Sequence, residues 1–241
     1  MKLLIKWSWI LLLIFIPVSS VFAEEEYINI VNPVRVSKYH LSPSLGIKAE
    51  YTIINNYNLP ATWLLTFDVL NDTDSLNVIR EFDKSQELGI FLEVSPEFAN
   101  QADIEYHQSG SWHFANSVFL SGYTQKERIK FIDKVFSKFK ERFGYYPVSV
   151  GAWWIDSFSL KYMHDKYGVI GNLSCADQYS TDNYQIWGTY WSTPYYPSVL
   201  HSGLPAKSSK DKIGVVTTQW ASRHPRNGYY SSLYSLQDYL T

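Results

Sequence analysis

Short runs of consecutive apolar residues alternate along the chain with longer segments in which apolar residues recur every three or four positions. The first pattern is typical of strands that are buried on both faces, and the second of helices that bury one face. The predicted strands are residues 27–31, 61–67, 90–94, 148–153, 169–174 and 213–218. The predicted helices are residues 44–58, 76–88, 125–143 and 157–167.

Two of the predicted helices carry clear boundary signals. Thr124 and Glu127 have the spacing of a capping box, and Gly144 follows the last apolar position of the helix that they begin. Gly168 ends the helix over 157–167 in the same way. The stretch 96–123, which is rich in Ser, Gly and aromatic residues, shows no regular period and is predicted to be an insertion loop.

Alternating buried strands and helices predict a parallel sheet covered by helices, either as an α/β barrel or as an open doubly wound sheet. Ligands of both architectures bind at the carboxyl ends of the strands. This rule selects the residues that follow each predicted strand, namely Arg35, Ser37, Asp68, Glu93, Ser95, Trp153, Trp154, Asp156, Asp177, Gln219 and Trp220.

The first 23 residues have the pattern of a secretory signal peptide. Lys2 and Lys6 precede an apolar run over 7–18, and Val21 and Ala23 provide small residues at the −3 and −1 positions. We therefore expect cleavage after Ala23, an exported protein, and one domain over 24–241. The alternative is an uncleaved anchor that would tether the same domain to a membrane.

Composition narrows the set of partners. Without residues 1–23, the chain has 19 basic and 23 acidic residues and no basic block, so we expect no nucleic-acid partner. Cys175 is the only cysteine, which excludes an internal disulfide and indicates a small buried residue.

Aromatic residues make up 17% of the chain, with 19 Tyr and 9 Trp. Their flat apolar faces suit sugar rings, although a Tyr-rich core without a ligand would have the same composition.

The loop over 179–201 concentrates these aromatic residues. It is predicted to lie at the carboxyl ends of the strands, and Pro194 and Pro197 stiffen it. Stiff aromatic side chains over a cleft favour sugar stacking, whereas the alternative is a loop that folds as its own small core. The predicted substrate-binding residues are Trp153, Trp154, Trp187, Trp191, Tyr195 and Trp220.

Four segments resemble the glycoside hydrolase/deacetylase superfamily, which includes NodB-type polysaccharide deacetylases and glycoside hydrolase family 57. They read PATWLLTFD, ELGIFLEVS, FGYYPVSVGAWWID and YMHDKYGV. The resemblance implies a deformed (β/α)7-type barrel of mainly parallel strands. Because only six strands are predicted, we expect the barrel to be incomplete at the carboxyl terminus, with the closing strand beyond Thr241.

The chain departs from the deacetylases of this superfamily at their metal ligands. Those enzymes carry an Asp-Asp pair after strand one and a His pair after strand three. Here the corresponding segments are Asn32-Pro33-Val34-Arg35 and Phe91-Leu92-Glu93-Val94-Ser95, and the six histidines show no ligand spacing. The resemblance of Thr66-Phe67-Asp68 to the deacetylase TFD motif is interpreted as a coincidence, because it lies on strand two. We therefore expect no metal and no other cofactor.

The segment Gly151–Asp156 resembles family 57 glycosidases more closely. In that family a Trp-x-x-carboxylate arrangement ends strand four, and its Glu is the nucleophile; Asp156 stands at that position here. A retaining glycosidase needs a second carboxyl group, for which Asp177 and Glu93 are the candidates. The alternative role of Asp156 is to cap the helix that begins at Ser157.

Taken together, these patterns predict a secreted carbohydrate-active protein that acts on a poly- or oligosaccharide. The first hypothesis is a glycosidase-type hydrolase that uses a carboxylate at the end of strand four. The alternatives are a non-catalytic glycan-binding relative of the polysaccharide deacetylases and a metal-dependent deacetylase.

Overall fold

A computed structural model describes residues 28–36, 43–108, 114–177 and 193–221, with only the backbone of 175–177, 220 and 221. Six strands are β1 (Val31–Val34), β2 (Ala61–Leu65), β3 (Gln86–Phe91), β4 (Ser149–Ala152), β5 (Gly171–Asp177) and β6 (Val216–Ala221). The helices are α1 (Ser44–Asn56), α2 (Thr73–Ile79), α3 (Pro96–Gln101), α4 (Ala115–Val118), α5 (Gln125–Phe143) and α6 (Ser157–Tyr167).

The six strands form one sheet in the order β1-β2-β3-β4-β5-β6, and every neighbouring pair is parallel. A doubly wound sheet would reverse its strand order at a switch point, so the sequential order excludes that alternative. The sheet curls into a half-barrel, which confirms the predicted α/β class and is consistent with an incomplete (β/α) barrel.

The two faces of the sheet contribute to separate apolar clusters. Trp63, Leu65 and Ile90 belong to a large cluster that also contains Phe131, Phe136 and Phe139 of α5. Leu64, Phe91 and Leu173 belong to a smaller cluster with Trp153. Since successive strand residues point to opposite faces, the first set faces the helices and the second faces the concave interior.

Leu64 fills the space that two interior glycines leave open. A Cβ atom at Gly151 would lie 2.5 Å from Leu64 Cδ1, and one at Gly89 would lie 2.6 Å from Leu64 Cδ2. The concave side of the half-barrel is thus packed at this level rather than open. A cavity of about 360 Å³ lies toward the amino-terminal ends of the strands, where its lining includes Thr62, Glu87 and Ser149. A second, more open cleft lies toward the carboxyl ends, beside Asp68 and Ser95.

The helix boundaries that were predicted from clear capping signals are confirmed. Thr124 and Glu127 form the complete capping box of α5, and Gly144 follows that helix with a φ of 84°. Gly168 follows α6 with a φ of 76°. Both glycines adopt a left-handed conformation that a residue with a Cβ atom rarely adopts.

Several predicted boundaries were wrong. The helix predicted over 76–88 is α2, which Asp72 caps by accepting from Ser75 N, and residues 86–88 are the first half of β3. The predicted loop over 96–123 contains α3 and α4. Strand β1 starts at Val31 and β6 runs from Val216 to Ala221, both later than predicted. Ile28 before β1 is exposed, whereas Ile213 and Val215 before β6 are buried outside the ladder.

Within the described ranges, no helix combines the length and apolar character needed to cross a bilayer. The predicted signal peptide lies outside the described residues.

Candidate functional site

Side chains from the ends of β1, β3 and β4 meet on the concave face of the half-barrel. Arg35 Nη2 lies 2.7 Å from Glu93 Oε2 and donates to Glu93 Oε1 at 2.9 Å. Trp153 Nε1 donates to Glu93 Oε2 at 2.7 Å, and Arg35 Cζ lies 4.9 Å from the centre of the Trp153 ring. These three residues are called the Arg35–Glu93–Trp153 cluster below.

The alternation of the strands explains this convergence. Glu93 lies two residues after Phe91, and Trp153 two residues after Gly151, so both continue the concave face. The pairing of Phe91 with Gly151 places Glu93 level with Trp153. Parallel strands bring their carboxyl ends to one edge of the sheet, which makes these distant residues neighbours.

The cluster is half-buried, with 21% of the Arg35 side chain and 14% of the Glu93 side chain exposed. Little water therefore screens the ion pair, and Trp153 adds a hydrogen bond to the same carboxylate. The guanidinium over the indole face adds a cation–π contact. The result is a carboxylate with fixed orientation beside an aromatic ring.

Asp68, which follows β2, lies in a different environment from that of the ion-paired Glu93. Burial raises the pKa of its carboxyl group, the hydrogen bond from Ser95 Oγ at 2.9 Å lowers it, and the nearby charges of Glu93 and Glu97 raise it further. The net pKa is above the ordinary value of 3.8. Asp68 lines an open cleft of about 570 Å³, whose other lining residues are Val36, Asn71, Asp72, Ser95, Pro96 and Glu97.

Tyr106 reaches the same region from the segment between β3 and α5. Burial raises the pKa of its phenol, and the Glu93 carboxylate raises it further, against a hydrogen bond with Ser117. Val94 N donates to Val118 O at 2.9 Å, and Tyr123 OH donates to Ser117 O at 2.8 Å. These bonds fix the inserted segment against the end of β3, and the Tyr106 phenol of this segment lies within electrostatic reach of Glu93.

Asp156 caps helix α6. Its Oδ1 accepts from Ser159 N at 3.0 Å and from Arg128 Nη1 at 3.1 Å, and its Oδ2 accepts from Ser159 Oγ at 2.7 Å. Arg128 also donates to the carbonyl oxygens of Tyr123 and Ser121. The cap proposed from the sequence is confirmed, and the catalytic role of Asp156 stays a prediction.

Two other predicted binding residues pack within the protein. The Trp154 and His201 ring centroids lie 5.2 Å apart. Tyr195 is 9% exposed, its hydroxyl donates to Ser202 O at 3.0 Å, and burial raises its pKa to about 12. Tyr195 also pairs with Thr217 in an antiparallel bridge along β6. The described end of the aromatic loop thus forms a small core, and sugar contact by Trp154 and Tyr195 stays a prediction.

The remaining predicted site residues are described in part or lie outside the described ranges. The backbones of Asp177 and Trp220 lie at the carboxyl ends of β5 and β6, and Cys175 pairs with Trp220 in the sheet register. Trp187 and Trp191 lie outside the described residues.

The described donor set does not fit a divalent cation. In the described part of the chain, no three His, Cys, Asp or Glu side chains are grouped as a metal site would require. Asp68 and Glu93 are neighbours, but the Arg35 guanidinium already neutralises Glu93 and would repel a cation there.

Asp68, Ser95 and Tyr106 were not predicted as site residues. The strand-end rule pointed to Asp68 and Ser95, but the TFD resemblance of Asp68 was set aside as a coincidence. Tyr106 lies in a stretch without periodic signal, and its proximity to Glu93 depends on how the insertion folds.

The fold and these residues define an α/β half-barrel protein with a polar site at the carboxyl ends of its strands. Residues 55–222 match the family described as a domain of unknown function with a solved structure, DUF3863. The chain belongs to that family. No curated protein matches the sequence at a significant level.

Two solved structures match this chain at low sequence identity. A crystal structure of a candidate glycoside hydrolase/deacetylase from Parabacteroides distasonis matches with a TM-score of 0.50 and 17% identity, over 80% of this chain and 44% of that chain. A candidate polysaccharide deacetylase from Mycobacterium smegmatis matches with a TM-score of 0.47 and 13% identity, over 80% and 57% of the two chains. The present chain thus spans less than half of the first protein and somewhat more than half of the second.

Proposed function

We propose that this protein is a carbohydrate-active hydrolase of glycosidase type whose substrate binds at the carboxyl ends of the strands. The observation that supports it is the contrast between Glu93 and Asp68, two neighbouring carboxyl groups in opposite environments. Glycoside hydrolysis needs one protonated and one ionised carboxyl group. The fold shared with a candidate glycoside hydrolase/deacetylase agrees with this class of activity.

The environments assign the two roles. Asp68, whose pKa is raised by burial, is the general acid that protonates the leaving oxygen. Glu93, held by Arg35 and Trp153, is the ionised group that stabilises positive charge on the sugar or attacks its anomeric carbon. The sequence hypothesis gave the second role to Asp156. We favour Glu93 because Asp156 caps helix α6 through the Ser159 amide, whereas Glu93 is the carboxylate that lies beside Asp68.

A second candidate is glycan binding without catalysis. The specific observation in its favour is that Glu93 is held in an ion pair by Arg35, which reduces its freedom to act as a nucleophile. An aromatic ring beside a fixed ion pair suffices to orient a sugar. The metal-dependent deacetylase is not favoured, since the described donors do not fit a metal.

The test measures release of reducing ends from soluble polysaccharides and from neutral hexasaccharides such as cellohexaose, xylohexaose and chitohexaose. We expect wild-type protein to hydrolyse at least one of them, and Glu93→Gln and Asp68→Asn each to lower the rate by about 100-fold or more. Asp156→Asn is the matched control, because Asn retains the helix cap while the charge is lost.

The outcomes separate the candidates. Wild-type protein that binds a glycan but releases no reducing ends supports the binding candidate. An Asp156→Asn variant that is folded and as inactive as Glu93→Gln would return the nucleophile role to Asp156.

A further inference from the structure

One buried hydroxyl on the concave face has no hydrogen-bond partner in the part of the chain that the structure describes. Among the described residues, Thr66 Oγ1 makes no hydrogen bond, and Thr66 is 3% exposed. Its backbone is satisfied, since Thr66 N donates to Val34 O at 3.1 Å and Thr66 O accepts from Leu70 N at 3.1 Å. An unsatisfied buried hydroxyl destabilises a fold, so its presence requires an explanation.

The strand pattern places Thr66 beneath the Arg35–Glu93–Trp153 cluster. Its neighbours Leu65 and Phe67 both belong to the large apolar cluster on the helix side of the sheet. Because successive residues alternate between the two faces, Thr66 faces the concave interior. The pairing of Val34 with Leu65, and of Leu65 with Ile90, places Thr66 level with Arg35 and Phe91. It is therefore one concave-face position below the level of Glu93.

We propose that Thr66 Oγ1 is a ligand-binding group that hydrogen-bonds a hydroxyl of a neutral sugar. This inference rests on the proposed function and narrows its substrate class. A sugar hydroxyl can both donate and accept a hydrogen bond. It can therefore pair with the Thr66 hydroxyl, accept from the Arg35 guanidinium and donate to the Glu93 carboxylate. The carboxylate of a uronic acid would instead lie near the acidic side chains of Glu93 and Glu97, and the Arg35 guanidinium that could attract it is already paired with Glu93.

The test is Thr66→Val, which removes the hydroxyl and keeps the shape of the side chain. Without ligand, the thermal midpoint should rise, because an unsatisfied buried polar group is lost. Calorimetric affinity for the neutral hexasaccharide that wild-type protein binds best should fall roughly fivefold to tenfold. Thr66→Ser, which keeps the hydroxyl, should retain wild-type affinity.

Thr217→Val is the matched control. Thr217 is fully buried, but its Oγ1 accepts from Asn172 Nδ2 at 3.2 Å. Removal of this partnered hydroxyl should lower the thermal midpoint and leave affinity unchanged.

Several results would overturn the inference. A lower midpoint for Thr66→Val would show that the hydroxyl is already satisfied, for example by an ordered water. Unchanged affinity in Thr66→Val, or equal loss in Thr66→Ser, would exclude the hydroxyl as a ligand group. Wild-type binding of oligogalacturonate as tight as that of the neutral sugars would exclude the substrate class. Absence of any glycan binding by wild-type protein would overturn the proposed function first, and this inference with it.

Discussion

Three carboxyl groups at neighbouring strand ends differ because their surroundings differ. Asp156 accepts from a helix terminus and an arginine, Glu93 is paired with Arg35, and Asp68 is buried with one hydroxyl donor. Burial raises the pKa of the Asp68 carboxyl group. Residue type and strand position alone would treat all three alike, whereas their partners assign them different chemistry.

The raised pKa of Asp68 predicts a pH-dependent change in stability. A carboxyl group with a raised folded-state pKa makes its full contribution to stability at pH values below its unfolded-state pKa. This contribution is lost as pH rises through the folded-state pKa. Asp68→Asn should therefore unfold at higher urea concentration than wild type at pH 7, with a difference that shrinks as pH falls toward 4. Asp103→Asn, at a fully exposed site, should show no such trend. A constant difference between pH 4 and 7 would contradict this assignment.

At the level of elements, glycines allow the strands to pack around Leu64. Gly151→Ala should lower the free energy of unfolding by about 1–3 kcal/mol, because the new methyl group would overlap Leu64 and Leu173. Gly46→Ala in α1 is the control, since nothing lies within 4 Å of the added atom. There we expect a gain of about 0.5–1 kcal/mol from helix propensity. Equal effects at both sites in urea titrations would refute the packing argument.

A polar contact joins helices α5 and α6. Asp133 Oδ1 accepts from Tyr162 OH at 2.8 Å, from Tyr167 OH at 2.7 Å and from Lys166 Nζ at 2.8 Å. Burial opposes the charged form of Asp133, but these hydrogen bonds outweigh it and lower the pKa of its carboxyl group. The contact therefore stabilises the charged carboxylate between the two helices.

Replacement of this carboxylate should destabilise the protein only where the carboxylate is charged. Asp133→Asn should cost about 1 kcal/mol near pH 7, a modest value because Lys166 is 44% exposed and solvent screens the pair. A carboxyl group with a lowered folded-state pKa stabilises the fold at pH values above its unfolded pKa of 3.8, and this contribution is lost as pH falls through the folded-state pKa. The cost of the substitution should therefore diminish below pH 4. Asp165→Asn, in the exposed pair with Lys161, should change the unfolding midpoint little. A larger cost at acid pH than at pH 7 would contradict the assignment.

For the molecule as a whole, export is our proposal for where the hydrolase acts. When the full chain is produced in a secreting host, N-terminal sequencing of the released protein should begin at Glu24. Ala23→Trp should block cleavage, because signal peptidase requires a small residue at the −1 position. Recovery of both proteins with an intact Met1 would refute the signal peptide.

How much of the fold could be predicted from the sequence depended on how far apart in the chain the interacting residues lie. Boundary signals such as the Thr124 capping box and Gly168 act within one helical turn, and both were predicted correctly. Residues 81–88 were misassigned because a helical period continued past the true end of α2, while Leu88 and Ile90 pack as alternate strand positions. That distinction depends on the neighbouring strands β2 and β4.

The sequence by itself determined the α/β alternation, the parallel strands and the strand-end positions, because hydrophobic period and local caps are encoded within each segment. Only the tertiary structure decided that the sheet keeps sequential order, and that Arg35, Glu93 and Trp153, up to 118 positions apart in the sequence, share one site. It also separated the cap role of Asp156 from the environments of Glu93 and Asp68. Burial, ion pairing and register are properties of elements in contact, and no single segment carries them.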